Sequence, residues 1–138
     1  MRKFLCALLA SALLFAGALA EEGDFRAGTG AAELGDSLFF AVDEGETGAL
    51  VRVLEGTPLL AVRGEAVGSV LVQDGYLYYL VKADGAWSLM RRGEDTVSET
   101  VYAFAAGAEV GALGEYRGEL FVLVDSQLHV VYPGQKLC

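Results

Sequence analysis

The stretch Asp74–Trp87, DGYLYYLVKADGAW, sets eight residues of strand-forming character between two Asp-Gly pairs. Asp-Gly is a strong two-residue hairpin signal, because glycine accepts the positive φ that a tight type I′ connection requires. The segment therefore predicts a strand, Tyr76 to Val81, entered and left through tight turns. Its apolar residues run continuously rather than alternating, which implies burial on both faces.

The same hexamer recurs on both sides. Ser37-Leu38-Phe39-Phe40-Ala41-Val42, Tyr76-Leu77-Tyr78-Tyr79-Leu80-Val81 and Glu119-Leu120-Phe121-Val122-Leu123-Val124 each read as a variable residue, Leu, a ring, a bulky residue, an aliphatic residue and Val. The leucines are 39 and 43 residues apart, a spacing typical of propellers and other repeat folds. Since 54% of the chain is hydrophobic, one hexamer alone would carry little weight. The flanks align as well. An apolar tetrad and a turn precede each hexamer: Gly35-Asp36, Asp74-Gly75, and a longer Gly114 to Gly118. A second strand-like run follows each, Ala49 to Leu54, Ala86 to Arg91 and Gln127 to Tyr132.

Read as strands, unit one uses 31–34, 37–42, 49–54 and 59–62, and unit two 70–73, 76–82, 86–91 and 97–104. Unit three has 110–113, 119–124 and 127–132, with no fourth strand after the Pro133-Gly134 turn. No segment keeps apolar residues at helical spacing for three capped turns. The expected fold is all-β: antiparallel four-stranded blade repeats of a β-propeller, about two and a half blades, in units 31–66, 67–106 and 107–138. The alternative is a small β-sandwich or barrel. A closed propeller has four to eight blades, so the chain is a truncated product, one member of an assembly, or a differently closed domain. Leu38, Leu77 and Leu120 are expected in equivalent buried positions. The uncovered side of strand 127–132 is expected to promote self-association, because no lysine or proline interrupts it.

The units resemble those of secreted bacterial β-propeller proteins of the TolB-like kind, with Asp74 to Trp87 the best match and residues 31 to 138 covered. The chain departs from that pattern where Gly35-Asp36 replaces Asp-Gly, and where the basic residue of the third strand appears only as Arg52 in unit one. The resemblance implies a propeller fold in an exported protein.

Export has its own signal. Arg2 and Lys3, an apolar run from Phe4 to Leu19 and Ala18-Leu19-Ala20 before Glu21 form the three parts of a cleavable signal peptide over residues 1–20. The run is shorter than the ~20 residues of a membrane span and is broken by Ser11 and Gly17. Stable membrane insertion is not expected after cleavage. Cys6 lies too near the start for lipoprotein processing. Residues 21–30 read as a linker. Loss of Arg2 and Lys3 takes the net charge from −9 to −11, which opposes binding to nucleic acid and to anionic lipid. Only Cys138 would survive processing, so the exported chain would lack an intrachain disulfide.

Catalytic groups are sparse. The lone imidazole, His129, lies on a strand whose alternation turns it away from Leu128 and Val130, and no G-x-S-x-G elbow supplies a nucleophile. Asp43-Glu44-Gly45-Glu46 lacks the ligand spacing of a calcium loop, and one His with one Cys is too few for structural zinc. Glu94-Asp95 and Glu115/Glu119 are paired carboxylates by proximity only, and glycosidases need a defined separation across a cleft. No catalytic, cofactor or metal residue is assigned. Of the rings Tyr76, Tyr78, Tyr79, Trp87, Tyr102 and Tyr116, those flanking turns, Tyr76, Trp87 and Tyr116, are the candidate ligand-facing aromatics. The expected function is a secreted, extracellular or periplasmic, non-enzymatic binding or scaffold module for a protein, peptide or carbohydrate. The alternative is the N-terminal piece of a propeller-containing hydrolase with catalytic residues beyond position 138.

Overall fold

A computed structural model of the chain describes residues 25–132. The leader read over residues 1–20, the Pro133-Gly134 turn and Cys138 lie outside the described residues. Among the described residues all regular structure is strand, and no helix is long and apolar enough to cross a membrane.

Among the described residues, twelve strands form three antiparallel four-stranded sheets. The first sheet has the order β2 (Ala31–Leu34), β3 (Ser37–Asp43), β4 (Gly48–Leu54), β5 (Thr57–Gly64). The second has β6 (Ala66–Gln73), β7 (Tyr76–Ala83), β8 (Ala86–Arg92), β9 (Glu99–Ala103). The third has the order β1 (Phe25–Ala27), β10 (Val110–Tyr116), β11 (Glu119–Val124), β12 (Gln127–Val131).

Turn chemistry explains the hairpins. Asp74 and Gly75 have φ of 51° and 79°, and Asp84 and Gly85 52° and 77°, the double positive φ of a type I′ turn. The same signature appears without Asp-Gly at Glu55-Gly56, Arg117-Gly118 and Asp125-Ser126. In unit three the expected long connection from Gly114 to Gly118 shrinks to Arg117-Gly118. There β10 extends to Tyr116 after a bulge between Val110 and Leu113.

Segment 21–30, read from sequence as a linker, contains β1. Phe25–Ala27 pairs with Tyr116–Gly114 and gives the third sheet four strands. Among the described residues the fourth strand thus joins beside β10, and β12 lies at the end of the sheet's strand order. Thr29 then bridges to Val70 of β6 before the chain enters β2. Gly28 permits this passage: a Cβ there would sit 2.3 Å from Ser69 Oγ and 3.2 Å from Leu113 O.

Two apolar layers join the sheets. Leu34, Phe39 and Leu50 of the first sheet meet Val70, Leu77 and Tyr79 of the second. Leu71, Tyr78, Leu80 and Leu89 on the other face of the second sheet meet Leu113, Leu120, Val122 and Val131 of the third. The second sheet is therefore covered on both faces, and the unbroken apolar run Leu77–Leu80 is buried throughout. Full burial of one such side chain is worth about 1.5–3 kcal/mol, so these layers dominate the stability of a stack without a described disulfide.

The leucine column corrects one expectation. Leu77 and Leu120 are buried at 0% and 4% exposure, but Leu38 is 38% exposed. Leu77 points at the first sheet and Leu120 at the second. Leu38 occupies the same column and points outward, where no described sheet precedes it.

Candidate functional site

The first strands of the three sheets approach one another, with β6 lying against both β2 and β10. Short polar ties hold this line together. Gly28 N–H donates to Leu113 O at 2.7 Å, and Thr29 and Val70 exchange backbone hydrogen bonds of 3.0 and 2.7 Å. Leu113 N–H donates to Ser69 Oγ at 2.6 Å. Ser69 itself has a φ of 54° at the β6 bulge, which turns its hydroxyl toward the third sheet.

Along this line lies a cavity of about 370 Å³ between β1, β2 and β6. Its polar lining is Arg26, Thr29 and Glu33, and its apolar wall includes Val70 and Val72. Arg26 is fixed from two sides, donating to Val72 O at 2.8 Å and forming an ion pair with Glu115 of β10. The Thr29 hydroxyl donates to Ala31 O at 2.7 Å. The cavity thus offers a held cation, a carboxylate and an apolar wall, which suits a mixed polar and apolar ligand. None of the three polar residues stands out in the sequence, because Arg26 and Thr29 sit in the stretch that reads as a linker and Glu33 is one acid among many. Thr29 between Gly28 and Gly30 was the available sign of a close backbone approach.

A second polar cluster ties the first sheet to the β8–β9 connection. Glu94 Oε2 accepts from Asp36 N–H and from the Ser37 hydroxyl, both at 2.9 Å. Arg52 Nε donates to Ser37 Oγ at 2.7 Å and its terminal nitrogen to Asp95 at 2.8 Å. Arg52 and Arg92 stand over the Phe39 ring, 6.0 and 5.0 Å from its centroid. Burial lowers the pKa of Arg92, and the neighbouring charge of Arg52 adds to that shift. Gly35 completes the cluster, since a Cβ there would lie 2.0 Å from Glu94 Oε1 and its φ is 60°. Glu94-Asp95 therefore works as an intersheet clamp.

Several other carboxylates are engaged in local contacts. Glu115 pairs with Arg26, while Glu119 is opposite Tyr116 on the other side of the sheet, so the two do not flank a common cleft. Asp43 caps Gly45 N–H at 2.9 Å, and Glu44 meets Thr47 at 3.2 Å and Arg63 at 3.2 and 3.3 Å. Among the described residues no group of three or more His, Cys, Asp or Glu is placed to hold a metal ion. His129 is opposite Val122 on the face toward the second sheet, half-buried, with Leu128 and Val130 on the other face.

The three aromatics do not converge. Tyr76 is 39% exposed, with the Arg91 guanidinium 4.7 Å from its centroid and Tyr78 packed edge-on at 6.5 Å. Glu99 holds Arg91 by a hydrogen bond that raises its pKa. Trp87 stands opposite Lys82 at the other end of the second sheet, partly buried against the layer shared with the third. Tyr116 lies partly buried on the outer face of the third sheet, with Arg117 5.1 Å from its ring centre.

Comparisons of the chain with protein-family models, with curated proteins and with solved structures find no match.

Proposed function

We propose that the chain is an exported, non-enzymatic binding or scaffold module of β-propeller type. The observation that carries this reading is the cavity on the line of first strands, where Arg26 is held in place beside Glu33 and an apolar wall. What supports the propeller assignment is the threefold occurrence of a four-stranded antiparallel sheet, with consecutive strand order in the first two and with β6 lying against both β2 and β10. Rigid sheets with exposed connections are a common platform for recognition. The signal-peptide layout of residues 1–20 supports export. The ligand class is a protein, peptide or carbohydrate that brings an anionic or hydrogen-bond-accepting group to Arg26.

The test is a peptide and glycan array probed with the labelled chain, followed by calorimetric titration of each hit. Binding weakened about tenfold by Arg26→Ala, in line with loss of one charged hydrogen bond, and no turnover of the bound ligand are the expected results. Turnover of a glycoside, ester or peptide, or binding indifferent to Arg26, would overturn the assignment.

A further inference from the structure

The backbone direction of β2 follows from one bond. Ala41 N–H donates to Gly30 O at 2.8 Å, so Gly30 and Ala41 are a hydrogen-bonded pair, and the register puts the next such pairs at Ala32↔Phe39 and Leu34↔Ser37. The N–H and C=O groups of Ala31 and Glu33 therefore point away from β3, over the outer edge of β2. Thr29 fills the first of these two positions. Its hydroxyl donates to Ala31 O at 2.7 Å and accepts from Ala31 N–H at 3.4 Å. At Glu33 neither backbone group meets a hydrogen-bond partner across that edge among the described residues.

A second edge, from β6, borders the same cavity. Gln73 and Tyr76 close the Asp74-Gly75 hairpin, so the backbone groups of Val72, one residue earlier, point away from β7. Val72 O agrees with this direction by accepting from Arg26 Nη2 at 2.8 Å. Val72 N–H opens on the same side and meets no partner among the described residues. Arg26 spends Nη2 on Val72 and Glu115, which leaves its Nε and Nη1 donors unused among the described residues. The cavity of about 370 Å³ thus has a donor and an acceptor at Glu33 on its β2 side. On its β6 side it has the donors of Val72 and Arg26.

We propose that this cavity binds a short extended peptide by strand addition. One peptide residue exchanges backbone hydrogen bonds with Glu33, and the next turns its carbonyl to Val72 N–H and Arg26. An extended chain directs the backbone groups of successive residues to opposite sides, which is what two opposed edges require; a sugar ring has no such alternation. Charge favours the same class. Arg26, Glu33 and Glu115 bring one positive and two negative charges, so a neutral or basic segment fits better than an acidic one, with a carbonyl rather than a carboxylate at Arg26. Thr29 blocks the edge at Ala31 and the chain turns at Gly35, so the contact takes about three residues at ~3.3 Å each. This assignment names the ligand class of the binding module above and rests on that reading.

The test is a random hexapeptide library screened beside a glycan array on the labelled chain. Each peptide hit is titrated by calorimetry and remade with every backbone amide N-methylated in turn. Methylation should weaken binding at least about tenfold at the residue whose N–H meets Glu33 O, and less at its neighbours. Amide hydrogen exchange at Glu33 and Val72 should slow at least about tenfold in the bound chain. Glu33→Pro deletes an N–H that β3 does not use, a change an edge strand tolerates. It should weaken binding at least about tenfold more than Glu33→Ala, which keeps that N–H. The N-methyl scan uses the parent chain and decides by itself where Glu33→Pro loses its β signal. Hexapeptides that bind yet tolerate N-methylation throughout, or that leave exchange at Glu33 unchanged, overturn strand addition. A glycan bound in an Arg26-dependent way, with no hexapeptide retained, overturns the peptide assignment and leaves the binding-module reading standing. No ligand sensitive to Arg26→Ala in either collection sinks both.

Discussion

The first and second sheets carry the same hexamer and use it differently. In β7 four consecutive side chains, Leu77 to Leu80, are buried. In β3 burial alternates, with Ser37 and Phe39 inside and Leu38 outside. Both strands are central in their sheets and both follow a tight turn, so the difference does not come from local structure. It comes from neighbours: the second sheet lies between two others and the first is covered on one side. Sequence repetition specifies which column a residue occupies, and stacking decides whether that column is removed from water.

The most direct way to break this comparison is to truncate the column in both places. Leu77→Ala empties a position with 0% exposure and should cost about 2–5 kcal/mol. Leu38→Ala, 38% exposed, should cost under about 1 kcal/mol when measured at a concentration where the chain is monomeric. Urea denaturation gives both values. Equal midpoints for the two variants would mean that stacking does not set the difference between the two columns.

The hairpins were readable from Asp74-Gly75 and Asp84-Gly85 because the need for positive φ is local, and the hexamer alignment was readable because the repeat is written three times. The connections at Glu55-Gly56 and Asp125-Ser126 follow from the strand bounds 49–54, 59–62, 119–124 and 127–132, but they lack Asp-Gly, so their double positive φ is seen only in the structure. The role of β1 was hidden for a different reason: its pairing with β10 spans nearly ninety residues (Arg26 opposite Glu115), and three residues carry no periodicity. The cavity inherits that obscurity, since Arg26 becomes informative only once β10 supplies Glu115. The exposure of Leu38 required knowing where the stack ends, which no pattern within one unit encodes.

A second contrast lies within the first sheet, between ion pairs on its two sides. Arg52 has a side-chain exposure of 13% and bonds to Ser37 and Asp95 at the clamp facing the second sheet. Arg63 is 54% exposed and pairs with Glu44 at the opposite end. Arg52→Ala should destabilise by about 1–3 kcal/mol, the cost of losing hydrogen bonds from a charged group of which the one to Ser37 is partly buried. Arg63→Ala should cost under about 1 kcal/mol, as exposed pairs do. Arg52→Lys should recover only part of the loss, because an ammonium cannot bond Ser37 and Asp95 in the guanidinium's planar fork. Thermal melts of the three variants at low salt order these effects, and a full rescue by lysine would mean that charge alone holds the clamp.

The smallest effect sharpens the contrast through the one buried phenol that bridges the first two sheets. Tyr79 is fully buried in that layer and its hydroxyl contacts Ser98 Oγ at 2.7 Å. Burial raises its pKa above the ordinary 10.0, against smaller opposing contributions from the Ser98 hydrogen bond and the charge of Arg92. A raised value means that the folded state favours the neutral phenol. The associated stability is complete below the unfolded pKa near 10 and is lost as pH climbs through the higher folded value. Tyr79→Phe should therefore cost about 0.5–1.5 kcal/mol at neutral pH, through the lost hydrogen bond. It should also show a shallower decline in stability above pH ~10, because phenylalanine has no proton to lose. The two stability curves should converge on the alkaline side. Curves that stay parallel from neutral pH through that limb would show that Tyr79 ionises as readily in the folded chain as in water, and that the layer between the first two sheets is wetter than its packing indicates.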